Sequence, residues 1–309
     1  MTLFLSTLNQ MGFLFLLIVI GYIVVRVGAI PETAPMTLSK MENNIFIPAL
    51  VMGTFMTNLT PERIRSAWVY LVGGAAVLVV TVPLGILIAR ACAKDTFIRN
   101  IYTYGLVFSN FGFMGNAVVA ALFPDIFMEY LIFVLPFWAL IYTWGTPCLL
   151  IPVEGERKTL WDKLRAFINP MFIGMIIGMI IGLSGLKLPA FLTNAPTTLG
   201  NCMSPVALLL TGMTIAKIDL KKAFTNVSVY VVSLVRLIAI PVVFLVLVKI
   251  LPLPETLEYC MICNLAMPLG LSTIVIPAAY GKDSTAASSM ALISHLLSCI
   301  TIPIIFFFL

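Results

Sequence analysis

The sequence is short of charge. Of 309 residues only 10% are Asp, Glu, Lys or Arg, against 61% hydrophobic, where a globular chain carries about 25% charged residues. So few polar groups cannot cover a soluble core of this length, which excludes a cytoplasmic enzyme and a secreted domain. The net charge is +5, but the basic residues stand singly between apolar runs, so they form no nucleic-acid footprint. The six cysteines, Cys92, Cys148, Cys202, Cys260, Cys263 and Cys299, lie in or beside apolar runs. That placement favours packing over a disulfide framework. Cys260-Met261-Ile262-Cys263 has metal spacing, yet neither a second cysteine pair nor a neighbouring histidine completes a site. A phosphate-cradling glycine loop is missing, so no ATPase module and no cofactor are implied. The first apolar run has no basic stretch ahead of it and no small-residue cleavage site, and it reads as a membrane span.

What is present is hydrocarbon. Ten apolar segments can be marked, at about 7–29, 37–58, 66–90, 100–123, 127–150, 168–186, 191–215, 226–250, 257–280 and 285–308. Each is close to the roughly 20 residues that a helix needs to cross a bilayer. Lipid tolerates no open-edged backbone, so all-α architecture is expected. The polar run 151–166 divides the chain into two sets of five spans, 1–150 and 167–309. The loops after odd-numbered spans hold Arg26, Lys40, Arg90, Lys94, Arg99, Arg157, Lys158, Lys163, Arg165, Lys217, Lys221, Lys222 and Lys282. Those after even-numbered spans hold Arg63, Arg65, Lys187 and Lys249. This bias puts the first group in the cytoplasm, with both termini outside and the central connector inside. Five spans per half means that the second half enters the membrane inverted. Pro48 with Pro205, Pro83 with Pro241 and Asn110 with Asn264 recur at offsets of 157, 158 and 154 residues. Inverted repeats of this kind are a transporter architecture.

Two spans are poor helices. Span 4 contains Ser109-Asn110-Phe111-Gly112-Phe113-Met114-Gly115-Asn116, and span 9 contains Asn264-Leu265-Ala266-Met267-Pro268-Leu269-Gly270-Leu271-Ser272-Thr273. Glycine and asparagine weaken a helix, and proline removes a backbone donor. Counted from Arg99 and Lys282, both stretches fall near the middle of a hydrocarbon core roughly 30 Å thick. A helix broken there exposes unpaired N–H and C=O groups, which must line a cavity or find partners. Two breaks at one depth would cross and aim half-helix N-termini at one point, a site for an anion. Ser109, Asn110, Asn116, Asn264, Ser272 and Thr273 can orient it, and Gly112, Gly115 and Pro268, which shape the breaks, belong to the same expected substrate site.

Asn110-Phe111-Gly112-Phe113-Met114-Gly115-Asn116, Ala121-Leu122-Phe123, Ala266-Met267-Pro268, Tyr280-Gly281 and Leu292-Ile293-Ser294 resemble the auxin efflux carrier family. Arg236-Leu237 ahead of Pro241 and Asn169-Pro170 opening span 6 are similar too. That family includes plant auxin carriers and bacterial malate or malonate permeases. The resemblance implies ten spans in a sodium/proton antiporter-like fold. Spans 1, 2, 6 and 7 would form a scaffold, and spans 3–5 and 8–10 a moving transport domain. It implies elevator-type transport, secondary active or facilitative, of a small organic carboxylate through a bacterial inner membrane. Asn110 would be a principal substrate contact at the crossover, with Pro268 in the span-9 break. It also implies a homodimer joined through the scaffold, and leaves the coupling ion open between H+ and Na+.

Single polar residues have two readings each. Arg236 is the one basic residue deep in a span; it either attracts the substrate anion or neutralises half-helix carbonyl ends. His295 is a proton relay or a packed histidine. Asn43 and Asn44 face the substrate path from the scaffold or bond across helices. Glu129 and Glu258 read as solvated caps near outer helix ends. Gly182-Leu183-Ser184-Gly185 mimics an intramembrane serine protease motif with His295 as its base, but Ser184 stands where span 6 stops. A non-transporting membrane sensor or scaffold is the other alternative.

Overall fold

The computed structural model describes residues 2–31, 33–151, 168–186, 188–217, 226–279 and 285–309. Most of the connector at 151–166, with its four basic residues, lies outside them, as do Lys187, Lys221, Lys222, Tyr280, Gly281 and Lys282. The described residues are helical, and six helices are long and apolar enough to cross a membrane: Leu8–Arg26, Pro61–Cys92, Pro124–Leu150, Ala190–Ile215, Val227–Ile250 and Ala286–Phe307. Their outer faces carry exposed Val79, Leu87, Val243, Val246 and Ile300. Such a surface is stable only in lipid.

In chain order the first helices are α1 (Thr2–Arg26), α2 (Ala34–Met41), α3 (Ile47–Asn58), α4 (Pro61–Cys92), α5 (Thr96–Val107) and α6 (Asn116–Leu122). Then come α7 (Phe127–Phe133), α8 (Leu135–Leu140), α9 (Pro170–Ser184), α10 (Ala190–Asn201) and α11 (Met203–Ile215). The last are α12 (Val227–Leu234), α13 (Ile240–Ile250), α14 (Glu255–Leu265), α15 (Ser272–Ala279) and α16 (Thr285–Phe307).

The helix ends follow local chemistry. The Thr60 hydroxyl accepts from the Arg63 N–H, the Asp95 carboxylate from Ile98, and the Asn169 amide oxygen from Met171 and Phe172. Each satisfies a donor that a first turn leaves orphaned. Gly185, in the left-handed region at φ 64°, ends α9. Wide π turns join several pieces: Glu42–Phe46 between α2 and α3, Ile141–Leu150 after α8, and Val235–Ala239 between α12 and α13. Pro48 and Pro241 follow the first and third, and Pro147 sits inside the second. A proline ring collides with the carbonyl four residues back, and widening the turn relieves it. Pro83, the expected partner of Pro241, is instead carried inside the unbroken α4.

Glycines set the closest helix pairs. On α9, a side chain at Gly174 or Gly182 would come within 2.7 Å of the Pro48 or Phe55 carbonyl oxygen, so α3 lies directly on that stripe. Gly21 of α1 meets the Leu209 carbonyl and Gly212 of α11 meets the Ile18 carbonyl, backbone against backbone. On the other side of the molecule α4 packs on α5, α7, α8 and α14. Gly74 there faces the Phe133 carbonyl.

Candidate functional site

The two weak helices break where the sequence predicts. α5 ends at Val107, and a π turn, Phe111–Gly115, restarts the run that continues as α6. α14 ends at Leu265, and α15 restarts at Ser272. The loose stretches meet. Ser109 and Leu269 form an antiparallel bridge, and the Asn110 N–H donates to the Pro268 carbonyl at 2.7 Å. Backbone groups orphaned by one break are thus satisfied by the other, which is how irregular chain survives at membrane depth.

Arg236 binds the carbonyl ends of both broken helices. It is fully buried. Its guanidinium donates to Leu106 O at 3.1 Å, Asn264 O at 3.2 Å and Met267 O at 3.4 Å. Those carbonyls end α5 and α14, where the helix dipole is negative. Of its two sequence readings, the geometry matches neutralisation of carbonyl ends, and Arg236 lines neither the cavity at Ser39 and Ser272 nor the one at Asn44 and Asn169.

Asn110 is also turned away from open space. Its amide nitrogen lies 3.0 Å from His295 Nε2, and His295 Nδ1 lies 2.7 Å from the Ala291 carbonyl oxygen. A carbonyl only accepts, so Nδ1 carries the hydrogen and Nε2 accepts from Asn110. A second proton on the ring would require the Asn110 amide to flip. Because the two side chains act as one unit, Asn110→Ala and His295→Ala should be non-additive. A double-mutant cycle on thermal stability should return a coupling of about 0.5–3 kcal/mol, and additive losses would break the pair.

The space lies on the far side of the breaks. A cavity of about 120 Å³ is lined by Ser39, Asn43, Phe113, Trp138, Ile141, Tyr142, Thr146, Leu210, Leu271, Ser272 and Ile276. A second, of about 230 Å³, shares Asn43, Trp138 and Tyr142 with it and extends to Asn44, Ile47, Asn169, Pro170 and Met171. Ser272 opens α15 and Phe113 lies in the first turn after the other break, so both half-helix N-termini contribute to the first cavity. Trp138, Tyr142 and Thr146 recur every four residues on one face, a signal visible in the sequence. A third cavity, about 220 Å³, lies between Tyr22, Ile215 and His295 but has almost no polar lining. A site that orients a polar ligand needs convergent polar groups, which favours the crossover.

Other predicted residues are placed as follows. Ser109 is buried and its hydroxyl has no hydrogen-bond partner among the described residues. Among the described residues neither polar side-chain atom of Asn264 is bonded, and Asn116 donates to the Gly112 carbonyl. Thr273 donates to the Gly270 carbonyl. Side chains at Gly112 and Gly115 would strike Trp138 and the Tyr130 hydroxyl. Asn43 and Asn44 donate to the Ser39 and Lys40 carbonyls while bordering the cavities. Glu129 is not a solvated cap: it is buried and pairs with Arg63 at 3.5 Å. Its position in the first turn of α7 brings it under α4, which exposed-end reasoning could not anticipate. Ser184 is exposed and donates to the Ile181 carbonyl, and His295 is committed to Asn110 and Ala291, so no protease dyad is assembled. Among the described residues no group of three His, Cys, Asp or Glu could hold a metal ion.

No curated protein matches the chain. The family model for membrane transport proteins matches it twice, over residues 6–162 and 157–306. Those matches, the lipid-facing apolar surface and the paired breaks agree. The chain belongs to the membrane transport protein family, the auxin efflux carrier group, and is a multi-pass membrane transporter.

Proposed function

We propose that the protein carries a small organic carboxylate across the bacterial inner membrane by alternating access, with the substrate held beside the crossing of the two broken helices. One observation carries this: two half-helix N-termini bring Phe113 and Ser272 to a single cavity whose remaining wall supplies Ser39, Asn43, Tyr142 and Thr146. Helix N-termini favour negative charge. The aromatic wall of Trp138 and Tyr142 suits the apolar part of an organic acid.

The double family match supports ten spans in two inverted halves, and the crossing breaks support it independently. The close glycine pairs among α1, α3, α9 and α11 support a rigid scaffold of spans 1, 2, 6 and 7, against which spans 3–5 and 8–10 move as an elevator. The cavity lies between these two sets. The charge bias supports termini outside, and a homodimer would form through the scaffold.

The test is binding of a panel of malate, malonate and aromatic acids to purified protein by thermal shift. At least one acid should raise the melting temperature. Ser272→Trp, which fills the cavity, should abolish that rise at unchanged basal stability. A panel without any binder, or binding indifferent to Ser272→Trp, would refute the assignment.

A further inference from the structure

Glu42 is the first residue of the π turn between α2 and α3. It is fully buried, and neither carboxylate oxygen has a hydrogen-bond partner among the described residues. The turn packs against α9, α10 and α11. Those helices contain no Asp, Glu, Lys, Arg or His, and neither does α3. Lys40, two residues away on the same run, is exposed and forms no ion pair with it. A carboxylate that is charged, buried and unpaired inside a membrane protein is strongly disfavoured, so this group is neutral in the described conformation. One proton satisfies a single carboxylate, whereas a metal ion needs a set of donors, and among the described residues no group of three His, Cys, Asp or Glu includes Glu42.

The position matters as much as the burial. Ser39 and Asn43, three residues before and one after Glu42, both line the crossover cavity. Glu42 stands between them in the chain and is not itself among the residues that line that cavity. An organic anion in the cavity and an ionised Glu42 would be two like charges at short range in a poorly screening interior, which repel strongly. The anion is therefore admitted when Glu42 is protonated. π turns recur at functional sites because a widened turn re-aims side chains.

We propose that Glu42 is the proton-coupling site of this transporter: it already holds one proton, taken from water, before the anion loads and returns it to water on the opposite side after the anion has left, making transport an anion–proton symport. Before loading, an O–H bond forms on the carboxylate with a proton from water; after the anion leaves on the opposite side that bond breaks, the proton goes to water, and the carboxylate is regenerated. Nothing is oxidised or reduced. This rests on the crossover cavity being the anion site, so the experiment separates the two claims.

Infrared difference spectra of wild type against Glu42→Gln at pH 7, without any substrate, should show the C=O stretch of a protonated carboxyl in wild type alone. Absence of that band would overturn the proposal whatever the protein transports. In proteoliposomes, an acid-outside gradient should speed labelled malonate uptake by wild type at least about tenfold. Glu42→Gln should keep malonate counterflow and lose the gradient response. A Glu42→Gln protein that still responds to the gradient would equally overturn it. Wild type that takes up no carboxylate while showing the infrared band would refute the anion site and, with it, the symport, but leave the protonated Glu42 standing. Should Glu42→Gln not fold, the pH titration of the wild-type band decides: a carboxyl still protonated at neutral pH is expected, and none is contradictory.

Discussion

Arg236→Ala should reduce substrate uptake by at least about tenfold and lower the melting temperature by several degrees. The guanidinium holds three carbonyl oxygens, those of Leu106, Asn264 and Met267, which belong to both broken helices. A hydrogen bond to a charged group contributes about 1.5–3 kcal/mol, offset by the cost of burying the cation. Alanine restores none of these donors and leaves the carbonyl ends of α5 and α14 facing one another unscreened. About 1.4 kcal/mol lost from the rate-limiting transition already gives the tenfold effect. Arg236→Lys should fall between, because an ammonium is a point donor and cannot reproduce the planar fork. Normal uptake by a well-folded Arg236→Ala protein would remove the residue from the mechanism.

Gly212→Val should be more damaging to folding than to any one step. The α-carbon of Gly212 lies against the Ile18 carbonyl, and Gly21 makes the reciprocal contact on Leu209. A valine there meets backbone, which has no rotamer to yield, so α1 and α11 must separate along their length. Overpacking of this kind costs about 1–3 kcal/mol where side chains can adjust, and more where they cannot. The expected readout is loss of most monodisperse protein after detergent extraction. Gly12→Val is the control, because Gly12 has open space around it and should be neutral. Equal yields from the two variants would show that α1 and α11 are not in backbone contact.

Depth was legible in the sequence, but direction was not. Hydropathy located the apolar runs, and the glycine, asparagine and proline clusters located both breaks to within a few residues. Charge deep in a span marked Arg236 as needing partners. Which way a side chain points depends on azimuth around the helix, and that is set by packing and by the π turns. Each extra residue in such a turn rotates the following face by about 100°. That is why Asn110, an apparent substrate contact, could be found bonded to His295 across 185 residues of chain, and why Ser272 and Asn43 reach the cavity instead. It is also why Glu129 reads as solvated in one dimension and is covered in three. Glu42 carried a signal, a lone acid in an apolar span, but its lack of a partner among the described residues is visible only once α9, α10 and α11 are packed around it.

The central claim is that an organic anion occupies the space where the two interrupted helices restart. A cryo-electron microscopy map of the protein with the best-binding acid from the panel tests it directly. The carboxylate should appear against the first turns beginning at Phe111 and Ser272, with Trp138 and Tyr142 flanking its apolar part. Density for the acid in the apolar cavity beside Tyr22 and His295, or either membrane helix continuous through Ser109 or Pro268, would contradict the account.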